Sequence, residues 1–154
     1  MKNPRVTVAV VAHNEAGNIR AFLSSVLNQR EIGFQLKNVL VYSDGSTDKT
    51  VSAVNSLKSP KIRLVSWTRR IGKSSRLNSI YRSITSDFLV QSDADVVFAH
   101  PFVIHDLIHP LITDPNVMMC GGNPSPISGK TFTEKAVNCT VQVFEQFRQG
   151  VRGG

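Results

Sequence analysis

Eight residues near the start, Arg5-Val6-Thr7-Val8-Ala9-Val10-Val11-Ala12, restrict the fold more than any other stretch. The run is rich in β-branched residues and almost free of polar interruption, as suits a strand covered on both faces. Such a strand needs packed layers above and below it, and the chain supplies helices in alternation. Asn18 to Gln29 places Ile19, Phe22, Leu23, Val26 and Leu27 at helical spacing. Asn38–Ser43 is a second strand, and Ser46 or Thr47 is expected to cap a helix carrying Val51, Val54 and Leu57. Ile62–Trp67 is a third strand, followed by a helix over Lys73–Thr85 and a fourth strand over Asp87–Gln91. After Pro101 the pattern predicts a helix to about Ile112, a short strand at Val117–Cys120, a Gly-Pro loop, and an amphipathic helix over Thr131–Gln149.

Alternation of this kind gives an α/β fold, a Rossmann-like and mostly parallel sheet flanked by helices on both faces. Right-handed crossovers bring the loops after each strand to one edge, where such sheets bind ligands. Polar residues gather at those positions. His13-Asn14-Glu15 follows the first strand, Asp44-Gly45-Ser46 the second, Arg69-Arg70 the third and Asp93-Ala94-Asp95 the fourth.

Composition narrows the partners. At 41% hydrophobic and 19% charged the chain reads as globular, and no apolar run approaches the roughly 18–20 residues of a membrane span. The first residues lack the apolar stretch of a signal peptide, so a cytoplasmic setting is expected. Cys120 and Cys139 have no metal or redox spacing and are expected as reduced core thiols. An excess of 18 basic over 11 acidic residues gives +7, which favours anionic partners. Arg63, Arg69, Arg70, Lys73, Arg76 and Arg82 concentrate in one third of the chain, as a phosphate site would need. The same charge also fits a non-catalytic α/β module that binds nucleic acid or an anionic membrane surface.

Asp93 and Asp95 carry the clearest chemistry. Two carboxylates one residue apart repel each other unless a cation relieves them. Hard oxygen ligands at a strand end suit Mg²⁺ or Mn²⁺, with substrate phosphates completing the shell. In Asp44-Gly45-Ser46-Thr47-Asp48, Gly45 permits a tight turn and Asp44 is left at the sheet edge. A carboxylate there can accept hydrogen bonds from a nucleobase or ribose.

Four blocks in this order resemble the inverting family 2 glycosyltransferases: Val8–Glu15 with Asn18-Ile19, Asp44–Thr50, Gly72-Lys73 with Asn78, and Asp93-Ala94-Asp95. Asp114–Val117, Gly121-Gly122 and Pro124 are similar to the segment that follows. The resemblance implies a single GT-A domain over 1–154 and a UDP- or GDP-linked sugar donor. It implies that Ala12, His13, Asn14, Glu15 and Asp44 hold the nucleoside, while Gly72-Lys73, in the block with Asn78, lies near the base and phosphates. On physical grounds Arg70 or Lys73 is expected to help the cation neutralise charge developing on the diphosphate. Ala94 sits between the metal candidates, of which Asp95 is expected in direct contact with Mn²⁺ or Mg²⁺ and Asp93 on the ribose or the metal. In the family the catalytic base lies well beyond the Asp-x-Asp, often in a Glu-Asp pair. This chain has no such pair, so it is read as a fragment whose base lies beyond Gly154. A basic surface suits a lipid-linked or polysaccharide acceptor at the inner face of a membrane, with peripheral membrane association and no nucleic acid partner expected.

Three further patterns are set aside. His105-Asp106-Leu107-Ile108-His109 lacks the Glu of the zinc-protease motif, and Pro110 is expected to cut its helix. Gly72-Lys73-Ser74 has Trp67 where a P-loop needs its first glycine. Asn138-Cys139-Thr140 fits a glycosylation acceptor by chance in a helix.

Overall fold

The computed structural model describes residues 3–123 and Ser125. They fall almost wholly in one compact unit, Met1–Gly121, and the second unit is Gly122–Gly154. The expected helix over Thr131–Gln149 and the residues Pro124, Cys139 and Asn138 lie outside the described residues.

Strands and helices alternate in the expected order: β1 (Arg5–Ala12), α1 (Ile19–Leu27), β2 (Gln35–Asp44), α2 (Thr50–Asn55), β3 (Ile62–Trp67), α3 (Lys73–Ser83), β4 (Phe88–Ser92) and α4 (Val103–Thr113). The sheet is parallel throughout, with the order β3-β2-β1-β4. β1 therefore sits inside the sheet with a partner on each side, which its unbroken apolar run requires. Five consecutive residues, Val6–Val10, are buried.

Each sheet face has its own core. On one, Val6, Val8, Val10, Val39 and Val41 pack with Ile19, Phe22, Leu23 and Val26 of α1, Val54 of α2, and Ile104 and Ile108 of α4. On the other, Ala9, Leu40 and Tyr42 pack with Ile80 and Leu77 of α3. Helices thus cover both faces. Burying a side chain such as Phe22 or Leu23 completely contributes about 1.5–3 kcal/mol relative to exposure, so α1 is held chiefly by its apolar face.

Because the crossover through α3 returns from β3 to the free edge of β1, the order in which strands are laid down reverses between β1 and β4. The crevice beyond the carboxyl ends of these two strands is the place where open α/β sheets receive ligands.

Four local expectations are corrected. Ser46 and Thr47 do not cap α2; Asp48 Oδ1 accepts from the Thr50 amide at 2.9 Å and from the Thr50 hydroxyl instead. Pro110 does not end its helix: α4 runs on to Thr113, held to the sheet by buried Ile104 and Ile108 in its earlier turns, and the Asp114 amide still donates to the Pro110 carbonyl at 3.1 Å. Val117–Cys120 forms no strand, for the run finds no ladder partner among the described residues, and Met118 and Met119 are 86% and 88% exposed. Cys120 is a free, exposed thiol rather than a core residue.

Candidate functional site

The strand ends are level. Ala12 pairs with Ser43, Asp44 with Trp67, and Val10 with Ser92, so the loops that follow converge on one edge. They enclose a cleft of about 260 Å³ lined by Val11, His13, Glu15, Asp44, Arg70, Lys73, Asp93, Ala94 and Asp95.

The first two loops are tied together. Asn14 adopts the left-handed region at φ 57°, and its Oδ1 accepts from the Thr47 amide at 2.8 Å. The Glu15 amide donates to Thr50 Oγ1 at 2.8 Å, and the Ala16 amide to Asp48 Oδ2 at 3.0 Å. Hydrogen bonds from the Thr50 hydroxyl, the Thr50 amide and the Ala16 amide outweigh partial desolvation and hold the Asp48 carboxyl below its ordinary pKa. The Glu15 carbonyl accepts from Asn18 and Ile19 and starts α1. His13 Nδ1 lies 2.8 Å from the Asp44 carbonyl, which can only accept, so Nδ1 carries the proton.

Asp44 is 1% exposed at the floor of the cleft. Its Oδ1 accepts from Arg76 Nε at 2.7 Å and Ile71 N at 3.0 Å, and its Oδ2 from Gly72 N at 2.8 Å. Burial pushes the carboxyl up, but the Ile71 amide, the Arg76 guanidinium and the Gly72 amide together hold it below its ordinary value. Asp44 is therefore an anion already satisfied largely from within the chain. Three donors leave one of its roughly four lone-pair directions for a ligand.

The β4 side is open. Asp93 and Asp95 are exposed, Ala94 between them is buried, and Lys73 Nζ pairs with Asp93 Oδ1. Among the described residues no three His, Cys, Asp or Glu side chains cluster as a complete metal shell. Two strand-end carboxylates without further protein ligands suit a hard divalent cation that keeps waters and takes oxygens from a phosphate.

The comparisons with known proteins fit this arrangement. The sequence model of glycosyl transferase family 2 matches residues 7–152. The chain belongs to that family. It is 30% identical over 155 residues to the probable glycosyltransferase YdaM of Bacillus subtilis, a match covering 97% of this chain and 36% of that protein. Among solved structures, the mannosyltransferase PcManGT of Pyrobaculum calidifontis, in complex with GDP-Man and Mn²⁺, superposes with a TM-score of 0.65 at 32% identity. That match covers 76% of this chain and 34% of the mannosyltransferase. Glucosyl-3-phosphoglycerate synthase of Mycobacterium tuberculosis, in complex with Mn²⁺, UDP and phosphoglyceric acid, gives 0.59 at 25% identity, covering 71% of this chain and 39% of the synthase. The chain thus spans between a third and two-fifths of these relatives. Its fold is GT-A, as the resemblance implied.

Of the site residues named from the sequence, His13, Glu15, Asp44, Arg70, Lys73, Asp93, Ala94 and Asp95 line one cleft. Four do not. Ala12 is buried in the core, Asn14 spends its side chain on the second loop, and Gly72 supplies the turn before α3 at φ 95°. Asn78 lies on the exposed side of α3. Arg76, counted with the phosphate-binding cations, is buried against Asp44 instead. Its position was legible: Arg76 and Ile80 stand at i and i+4 with Leu77 beside them, so the cation shares the buried face of α3. Val11, which also lines the cleft, carried no distinguishing signal. No helix among the described residues is long and apolar enough to cross a membrane.

Proposed function

We propose that the cleft takes the nucleoside diphosphate of a sugar donor, and that the protein transfers that sugar to an acceptor hydroxyl or phosphate. The observation that carries this is the meeting of exposed Asp93 and Asp95 with Arg70, Lys73 and the buried anion Asp44 in one cleft at the switch point of the sheet. His13, Glu15 and Asp44 form the nucleoside side, with Asn14 and Ala12 shaping its backbone. Arg70 and Lys73 face the diphosphate, Gly72 sets the turn between them, and Asn78 belongs to the same helix.

Asp95 would hold Mn²⁺ or Mg²⁺ directly, and Asp93, paired with Lys73 here, would contribute to the metal or the ribose. The metal, when bound, neutralises charge on the diphosphate leaving group. Arg70 and Lys73 add fixed positive charge where that negative charge develops. Residues 1–154 act in this reading as one donor-binding domain. After Asp95 the described acids are Asp106, 3.8 Å from His100 Nε2, and Asp114, bonded to Asn116, and neither lines the cleft. No catalytic base is assigned. A membrane-borne or polysaccharide acceptor would suit the basic surface.

Titrating UDP and GDP with and without Mn²⁺, followed by calorimetry, tests the proposal. Metal-dependent binding of one of them, abolished by Asp95→Ala, is the expected outcome. Binding of neither nucleotide, with or without metal, would overturn it.

A further inference from the structure

Arg76 differs from every other cation near the cleft. It is 5% exposed, whereas Arg69, Arg70, Lys73 and Arg82 all stand in solvent. A guanidinium is costly to bury unless its donors are met and its charge is balanced. Here both conditions hold. Nε donates to Asp44 Oδ1 at 2.7 Å, and Nη2 donates to the Arg69 carbonyl at 3.0 Å. The face of the group lies on the Trp67 ring, 3.6 Å from its centre, and Trp67 packs edge-on against Tyr42 at 5.0 Å.

The groups that Arg76 touches have one thing in common. Arg69 precedes Arg70, and the Asp44 carboxylate accepts from the amides of Ile71 and Gly72. The turn over residues 69–72 is therefore held at a carbonyl by Arg76 and at two amides by the anion that Arg76 balances. Among the described residues no other side chain bonds to the backbone of this turn. The turn delivers Arg70, and its end starts α3 with Lys73, and both line the cleft. Arg76 does not line it.

We propose that Arg76 is a positioning residue, a clamp between Trp67 and Asp44 that fixes the 69–72 turn and so sets where Arg70 and Lys73 meet the diphosphate. This rests on the assignment of the cleft to a nucleoside diphosphate. Lysine cannot replace it, because a point charge cannot stack on Trp67 while serving Asp44 and the Arg69 carbonyl together. Trp67 is the chain's one tryptophan, so its emission reports whether the guanidinium is in place.

The test compares the unaltered chain with Arg76→Lys and Arg76→Met. UDP and GDP are titrated with Mn²⁺ by calorimetry, Trp67 emission is recorded with and without nucleotide, and thermal melts check folding. Both variants are expected to shift Trp67 emission and to bind nucleotide at least tenfold more weakly. The ratio of affinities with and without Mn²⁺ should stay as in the unaltered chain, because the carboxylates of β4 are untouched. A folded Arg76→Lys that shifts the emission yet binds within twofold of the unaltered chain would overturn the proposal. So would unfolding of both variants, which would make Arg76 a requirement of the fold instead of the cleft. Failure of the unaltered chain to bind either nucleotide is a separate result and removes the functional assignment beneath it.

Discussion

The two sides of the cleft are built by opposite rules. On the β2–β3 side, Asp44 is 1% exposed and meets three donors from its own chain. On the β4 side, the Lys73 and Asp93 side chains are 50% and 53% exposed, and Asp95 is exposed as well. A buried anion with its partners in place is settled when the chain folds. Exposed carboxylates beside one lysine still have most of their coordination to make, and a cation with its phosphate can complete it. Stability should therefore depend on the first side and ligand affinity on the second, with the 69–72 turn joining the two.

The hardest blow to that contrast would be Asp44→Ala. It leaves the Arg76 guanidinium buried without its anion, a change worth about 3–5 kcal/mol of stability. Urea unfolding should record that loss, and nucleotide affinity should fall with it. A variant that unfolds like the unaltered chain would show that the buried side is no more built than the open one.

Gly45 tests the same side through the backbone. Its φ of 67° is left-handed, and an added Cβ would stand 2.6 Å from the Arg70 amide nitrogen. Gly33 has a similar φ of 73° with nothing within 4 Å of an added Cβ. Gly33→Ala should cost about 1–2 kcal/mol from the conformation alone. Gly45→Ala should cost more, and it should weaken nucleotide binding while Gly33→Ala leaves it unchanged. Equal urea midpoints for the two would mean that the 69–72 turn yields freely.

Acid provides a graded version. Asp44, Asp48, Glu31 and Asp87 all have carboxyls held below their ordinary values in the folded chain. Groups of this sign add stability that is complete above the ordinary carboxyl range near pH 4 and is lost as pH falls through the lower folded values. Urea midpoints should be level from about pH 7 to 5 and decline below about pH 4. Asp44→Asn should flatten part of that decline.

The smallest effect on stability belongs to Asp95→Ala. An exposed strand-end carboxylate should change unfolding by no more than about 0.5 kcal/mol, while the gain in nucleotide affinity on adding Mn²⁺ disappears. Loss of stability with retained metal dependence would reverse the assignment of the two sides.

The cleft's lining was legible in the sequence for a mechanical reason. Parallel strands joined by right-handed crossovers bring their following loops to one edge, so His13, Asp44, Arg70 and Asp93 had to meet once four strands were recognised. The bonding within the edge was less visible. Asp44 looked like a carboxylate awaiting a ligand because two of its partners are the amides of Ile71 and Gly72, which no side-chain pattern records. Arg76 disappeared into a count of positive charge, although its place on the stripe with Ile80 marked it for burial. Val117–Cys120 misled in the other direction. Apolar residues alone do not make a strand, and these had no partner to pair with among the described residues.

The strand order has a consequence for how the chain comes off the ribosome. β1 is made first, and its pairing with β2 can form once residues 35–44 have emerged. Its other edge stays bare until Phe88–Ser92 arrive, some eighty residues after β1 began. In that interval an apolar strand edge is open to pairing with any extended segment nearby. The strand that organises the finished sheet is thus a vulnerable surface of the nascent chain, and chaperones that shield apolar segments would have it to protect while residues 45–87 are being added.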